Sequence, residues 1–432
     1  MNYRLLITGF SVFLLACASG QAQVPTFYKD VYPILSENCI SCHNQKNGVA
    51  PFSLETYDEV VKNAKLVQYV IDKGIMPPWK ADTAYRHFRN ERVLTKNEIN
   101  TIKEWANAGY VKGNYTKQPL LNYSSSLNDP DMVIKLPVPY PIPATNSDLF
   151  ITYIKQIDLG EDKMLRAIEI VPGNKKMVHH CRVDFDRSSR YIAKADSLGF
   201  VNSNELNTVA DNLPEFLFVG DYVPGISPYI YPENAGYFLP SKLYILINLH
   251  YSPTTKDEYD QTEVRLYFHK DTAGLSRVVY SSCKLNVKTA LNRPDISLPP
   301  NEEKCFLIQS QPYKNDLSLI CIQPHMHLFG KSMKVYALSP DKSDTIPLCK
   351  IDDWDFRWQE NYYFEKPLKI PKGYIMIGEA CYDNTVNNPS NPFYPPRMIT
   401  FLGDMKTTNE MMEFYIQSIN YKEGDEDRIW YK

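Results

Sequence analysis

In the stretch Pro324-His325-Met326-His327-Leu328-Phe329-Gly330-Lys331 two histidines stand one residue apart. A β-strand rises roughly 3.3 Å per residue and sends residues i and i+2 to the same face. On a strand, both imidazoles can therefore reach a single copper or zinc ion. Two ligands do not complete a site. Further partners are His179-His180 in MVHHCRVDF, His250 in INLHYSP, and the methionine pair Met411-Met412 in TTNEMMEFYIQ. These motifs take five of the eight histidines, and a sixth, His43, closes Cys39-Ile40-Ser41-Cys42-His43, a haem attachment sequence. His87 and His269 are read as ordinary residues. Such economy of histidine points to a redox metalloprotein.

A chain of 432 residues predicts two or three domains. Lys+Arg number 47 against 50 Asp+Glu, a net charge of −3 without long runs of one sign, which argues against a nucleic-acid partner. The 31 tyrosines and 31 prolines suit strands and turns better than a helical bundle. Residues 1–22 read as a secretion signal, with Met1-Asn2-Tyr3-Arg4 ahead of the apolar run Leu5 to Ala16. Two processing routes stand open: lipidation at Cys17 in the lipobox-like Leu14-Leu15-Ala16-Cys17, giving a lipid anchor, or ordinary cleavage near Ala22. Both predict an exported protein of a bacterial periplasm or cell envelope, in one case a lipoprotein. In that oxidising space Cys181, Cys283, Cys305, Cys321, Cys349 and Cys381 form a pool for disulfides, and the sequence does not choose among their pairings.

Residues 24–114 carry a helical pattern. Thr56-Tyr57-Asp58-Glu59 has capping-box spacing and opens a helix with Val60, Ala64, Val67 and Ile71 on its apolar face, closed by Lys73-Gly74. A second capping box, Thr95 to Glu98, opens a helix with Ile99, Ile102, Trp105 and Ala106, ending at Gly109. Around the Cys-x-x-Cys-His motif, three such helices make a small all-α cytochrome c domain. Cys39 and Cys42 would form the thioethers of one haem c, and His43 its proximal ligand. Met76, in Met76-Pro77-Pro78-Trp79, is the best candidate for the sixth ligand; a thioether there leaves no open position, so the domain is expected to carry electrons. Residues 115–130 read as a linker. Beyond them come short strands punctuated by Pro and Gly: MVIKLP, DLFITYIKQIDL, MLRAIEIVPG, KLYILINLHYSP and TEVRLYFHK. This predicts two all-β, jelly-roll-like sandwich domains, 131–274 and 275–432, divided near Thr272-Ala273-Gly274.

His179 and His180 are adjacent and so point to opposite faces of a regular strand; both reach one ion only at a strand end or bulge. The Pro172-Gly173-Asn174 turn upstream favours such an irregularity. His250 follows the apolar run Leu243 to Ile247, where an unpartnered imidazole is costly to bury. A three-histidine site follows for the first sandwich. No other histidine lies in the second half to join His325 and His327, so their further ligand is a methionine or a cysteine; a thioether with two imidazoles suits copper and not zinc. The rings of Trp354-Asp355-Phe356-Arg357-Trp358-Gln359 are read as core and interface packing.

Together the His-His pair, His250-Tyr251, the His-x-His followed by Leu-Phe-Gly-Lys, and Thr407-Thr408-Asn409-Glu410-Met411 resemble the copper type II, ascorbate-dependent monooxygenases, typified by the peptide-amidating and dopamine-hydroxylating enzymes. The resemblance runs from about Asp131 to the C-terminus, while the N-terminal part resembles a class I cytochrome c. It implies two coppers: an electron-storing one on His179, His180 and His250, and an oxygen-binding one on His325, His327 and Met411. Met411, rather than Met412, falls on the family's ligand position. Tyr415 matches a substrate-binding tyrosine, whereas Gln323 stands where the peptide-amidating enzyme has its carboxylate-binding arginine. That departure argues against a peptide ending in glycine as substrate. Met412 replaces a cysteine of the family, so its disulfides do not carry over. The implied activity is hydroxylation of a C–H bond of a small organic substrate with O2, electrons coming from a redox donor protein or an ascorbate-like reductant through the haem and the three-histidine copper. The alternative is a non-catalytic copper-binding electron-transfer protein of the cell envelope.

Overall fold

The computed structural model describes residues 24–45, 50–89, 91–115, 127–206, 216–224, 228–232, 234–270, 277–286, 296–401 and 407–428. The signal with Cys17, most of the linker, the break at residues 272–274 and the side chain of Cys283 lie outside the described residues. The rest is predominantly β, with three α-helices among the described residues, all of them before Asn114.

Those helices are α1 (Tyr32–Asn38), α2 (Tyr57–Asp72) and α3 (Lys96–Asn107). Both capping boxes form. Thr56 and Thr95 each accept from the backbone N–H of a glutamate three residues on, and that glutamate's carboxylate accepts in return from the threonine N–H. Val60, Ala64, Val67 and Ile71 are buried together because a spacing of three to four residues lines one helix face. Val60, Val67 and Ile71 meet Phe27, Leu35, Ile40, Ile102 and Trp105 in one apolar cluster. Gly74, at φ +64°, ends the α2 turn in the left-handed conformation that costs glycine little.

From Met132 the chain is almost all strand. A five-stranded sheet runs Phe200–Asn202, Leu149–Asp158, Lys242–Tyr251, Val178–Asp186, Phe216–Tyr222, and a six-stranded sheet is built on Lys163–Val171 and Glu263–Phe268. Their inward side chains form the first β core. Two four-stranded sheets follow: Tyr280–Asn286, Glu413–Asn420, Leu317–His325, Tyr362–Ile370, and Glu303–Gln309, Ile375–Asp383, Gly330–Leu338, Thr345–Ile351. A disulfide joins Cys305 to Cys381, directly opposite each other in the second of these; Cys181, Cys321 and Cys349 are buried free thiols.

The Leu317–His325 strand belongs to both cores. Leu319 and Ile322 join the cluster between the two later sheets, whereas Ile320 and Cys321 join the first β core, together with Tyr363 and Ile419. The period of two that sends alternate residues to opposite faces is shifted by a bulge between Leu319 and Cys321.

After Met76 the chain leaves the helices and docks on the later sheets. Ala81 bridges to Ile351, Lys350 pairs with Asp82 at 3.2 Å, and Arg92 pairs with the buried Glu360. Phe88, 5% exposed, packs on Tyr362 and Phe364 with ring centroids 5.1 and 5.6 Å away, and Trp79 meets Tyr362 edge to face at 5.2 Å. Phe88→Ala is expected to cost about 3–5 kcal/mol, seen as a lower melting temperature, with faster proteolysis between Trp79 and Arg92.

Candidate metal centres

Two clusters of imidazoles face one cavity. In the first, His250 on the Lys242–Tyr251 strand stands opposite His180, but the next residue, Tyr251, stands opposite Val178, so His179 is the extra residue of a bulge. This irregularity lets adjacent histidines turn to one point. The Nδ1 atoms of His179 and His250 lie 3.3 and 3.2 Å from Nδ1 of His180, and the ligand-type nitrogens all fall within 4.8 Å of one another. His250 Nε2 donates to Asp148 Oδ1 at 2.6 Å, which turns Nδ1 to the inner side. Phe150 stacks on the same ring at 4.1 Å. Burial, and then the neighbouring His250, pushes His179 down to about 4 and holds His180 well below its ordinary value. Neutral imidazole is the form that binds a metal.

The second cluster departs from the expectation of two histidines along a strand. The strand ends at His325, and His327 lies in the turn before Gly330. Alternation persists: Met326 is buried in the core while the rings of His325 and His327 sit 5.2 Å apart at 87°. Met411, just ahead of the Glu413–Asn420 strand, places its sulfur 3.2 Å from His325 Nε2. Three consecutive residues serve this turn. The Asn409 carbonyl accepts from His327 Nδ1 at 3.0 Å, and the Glu410 carboxylate accepts from the backbone N–H groups of His327, Phe329 and Met411 at 2.9, 2.8 and 3.0 Å. Met411 supplies the sulfur. Burial pushes Glu410 up to about 8 against the pull of those three donors.

His180, His250, His325 and Met411 line a common cavity of about 90 Å³, with Arg182, Asp221, Gln323 and Tyr415 on its walls. Arg182 forks onto Asp184 at 2.7 to 3.0 Å and donates to the Tyr415 hydroxyl at 3.2 Å, which in turn donates to Glu413 at 2.5 Å. Gln323 and Asn361 both donate to Asp221, whose carboxyl burial pushes up to about 7. Gln323 and Tyr415, singled out in the sequence, thus meet in one polar wall that spans the two halves.

His43 donates through Nδ1 to the Phe52 carbonyl at 3.0 Å, which leaves Nε2 as its ligand nitrogen. Cys39 and Cys42 are not joined to each other, and burial pushes the Cys39 thiol up to about 12. Met76 is half-buried in the bend after α2, its N–H on the Val70 carbonyl at 3.2 Å. His87 pairs with Glu91 at 2.8 Å, and His269 Nε2 donates to the Ala235 carbonyl at 3.0 Å, both away from the clusters.

Several residues of the site had no assigned role in the sequence. Asp148 and Asp221 carry no local signal. Glu410 was visible within Thr-Thr-Asn-Glu-Met, but only as part of a pattern. In Trp354 to Gln359 the rings read as packing, and Trp354 is indeed a core residue; Phe356, however, lies against His179, His250 and His327, and Gln359 bonds His325.

No protein family and no curated protein matches the chain. Solved structures similar to it include the PBSX exported protein XepA, at 10% identity and a TM-score of 0.17 over 58% of this chain and 86% of that one. The infectious bursal disease virus VP2 subviral particle matches at 8% and 0.19 over 70% and 75%, and the Macrobrachium rosenbergii nodavirus at 11% and 0.17 over 72% and 96%. TM-scores this low say nothing about fold or function.

Asp221 ionises near 3.8 when unfolded and near 7 when folded. The stability it contributes is therefore full below pH 3.8 and is lost as pH rises through about 7. Asp221→Asn is expected to flatten the fall in urea midpoint across that window. A glutamine keeps only one acceptor oxygen, so Glu410→Gln sets its amide N–H against at least one of the three backbone donors and is expected to cost about 1–3 kcal/mol, read as a lower urea midpoint.

Proposed function

We propose that this chain is an exported haem- and copper-containing monooxygenase that hydroxylates a C–H bond of a small organic substrate. The observation that carries this is the pairing of an all-nitrogen donor set, His179, His180 and His250, with a sulfur-bearing one, His325, His327 and Met411, members of both sets lining a single cavity. The donors suit copper: His179 and His180 are pressed toward neutrality by burial, outer partners fix the remaining ring nitrogens of His250, His325 and His327, and a thioether disfavours zinc. Cys39, Cys42 and His43 would hold one haem c, with Met76 as its second axial ligand.

When bound, the haem and two coppers would supply one-electron storage and oxygen chemistry, with an ascorbate-like reductant or a donor protein as the source of the two electrons a hydroxylation needs. The chain's own part is positioning. Bulge, turn and hydrogen-bonded carboxylates hold the imidazoles. Tyr415 and Gln323 line the cavity where substrate would bind. With Gln323 engaged by Asp221, and Arg182 by Asp184, this wall is not built for a carboxylate substrate. Two jelly-roll-like sandwiches following a cytochrome c domain would account for the sheets and helices seen. The Cys305–Cys381 disulfide supports an oxidising compartment, in line with a signal at 1–22 cut near Ala22 or lipidated at Cys17. Among the described residues, no helix is long and apolar enough to cross a membrane.

Metal analysis and EPR of the exported protein are expected to give one haem and two type 2 cupric signals. His325→Ala and Met411→Ala should each perturb one signal and spare the other, and oxygen uptake should rise with substrate across a panel of small organic compounds. Two bound coppers without substrate-stimulated uptake would leave an electron carrier in place of the enzyme; absence of copper would remove both.

A further inference from the structure

One segment reaches both clusters. The crossing from the Thr345–Ile351 strand to the Tyr362–Ile370 strand carries Trp354, Phe356 and Gln359, the last two against the imidazoles and the first in the core behind them. The Phe356 ring lies 6.4 Å from His179, nearly parallel at 18°, and 6.5 Å from His250. On its other side it meets His327 edge on, at 5.7 Å and 88°. Three residues on, Gln359 accepts through Oε1 from His325 Nδ1 at 2.5 Å and donates through Nε2 to the Phe356 carbonyl at 2.8 Å. Trp354 donates through Nε1 to the His327 carbonyl at 3.1 Å. Its indole is wedged so closely against Gly330 that a Cβ there would stand 2.6 Å from the ring.

We infer that Phe356 and Gln359 are shared positioning residues of the two centres, an assignment that rests on both clusters being metal sites. Because the Gln359 amide nitrogen is committed to the Phe356 carbonyl, only its oxygen faces His325. The proton of that imidazole is then held on Nδ1, and Nε2 is kept as a bare donor beside the Met411 sulfur. Phe356 offers no hydrogen bond. It fills the gap between the all-nitrogen cluster and His327 with an apolar ring, excludes water there and sets the spacing of the two sites. Since the carbonyl that orients Gln359 belongs to Phe356, spacing and tautomer are fixed by one piece of backbone.

The full-length protein loaded with copper tests this. Gln359→Leu is expected to weaken copper binding at the sulfur-bearing centre by ~10–100-fold, the usual effect of losing an outer partner of a metal-binding histidine. The all-nitrogen centre should keep its affinity, and the copper–sulfur component of the X-ray absorption spectrum should be lost. Gln359→Glu, which keeps the acceptor, should restore both; Gln359→Asn serves if the leucine variant does not fold. Phe356→Ala is expected to change the dipolar coupling between the two cupric ions, and Phe356→Tyr to return it. Wild-type affinity and sulfur signal in Gln359→Leu, equal loss at both centres, or an unchanged dipolar spectrum in Phe356→Ala would overturn the assignment while leaving the metal sites standing. A wild-type protein that takes up no copper would overturn the metal sites, and the assignment with them.

Discussion

The convergence of three imidazoles on one wall of the cavity depends on one departure from regular strand pairing. A continuous ladder would send His179 and His180 to opposite faces of their sheet, one into the core and one outward. The extra residue opposite the His250–Tyr251 step removes that conflict, and the imidazoles of three residues on two strands converge. The penalty is local, since the ladder resumes on both sides of the bulge. What the bulge provides is a concave cluster on a rigid sheet, with Asp148 and Phe150 behind it. A site built on strands holds its groups more precisely than one built on loops.

The opposite cluster is assembled differently. His327 and Met411 both lie just outside regular strands, and order there comes from hydrogen bonds to backbone. Glu410 is central: its buried carboxyl gathers two N–H groups of the turn, from His327 and Phe329, and that of the adjoining Met411. Burying that carboxyl carries a desolvation cost, and the three donors offset only part of it. The two clusters thus stand on unlike foundations, sheet on one side and a tied turn on the other.

Local signals were legible in the sequence where they were strong and periodic. The capping boxes at Thr56 and Thr95, the stripe from Val60 to Ile71, and the five quoted strand runs lie where spacing and turn residues put them. The grouping of the histidines was legible too, because histidine is rare in this chain and its placement repays counting. What spacing did not reveal was the turn at His327, since alternation of side chains continues after strand pairing stops. Nor did it reveal Asp148, Asp221 or Gln359, which reach their partners across at least 34 positions of sequence. Long-range contacts leave no local pattern. For Phe356 the pattern was visible but ambiguous, because a ring packed on apolar residues and a ring packed on imidazoles look alike in sequence.

The Leu317–His325 strand has a consequence for any attempt to dissect the molecule. Its two faces belong to different cores, and Ile320, Cys321, Tyr363 and Ile419 sit among residues of the earlier half. A fragment made of the later half alone would turn these side chains to solvent as an adhesive patch. The earlier half alone would lose part of the lid over its own interior. Genetic separability and independent folding are therefore different properties here: a break that is convenient in the polypeptide does not coincide with a seam in the oil.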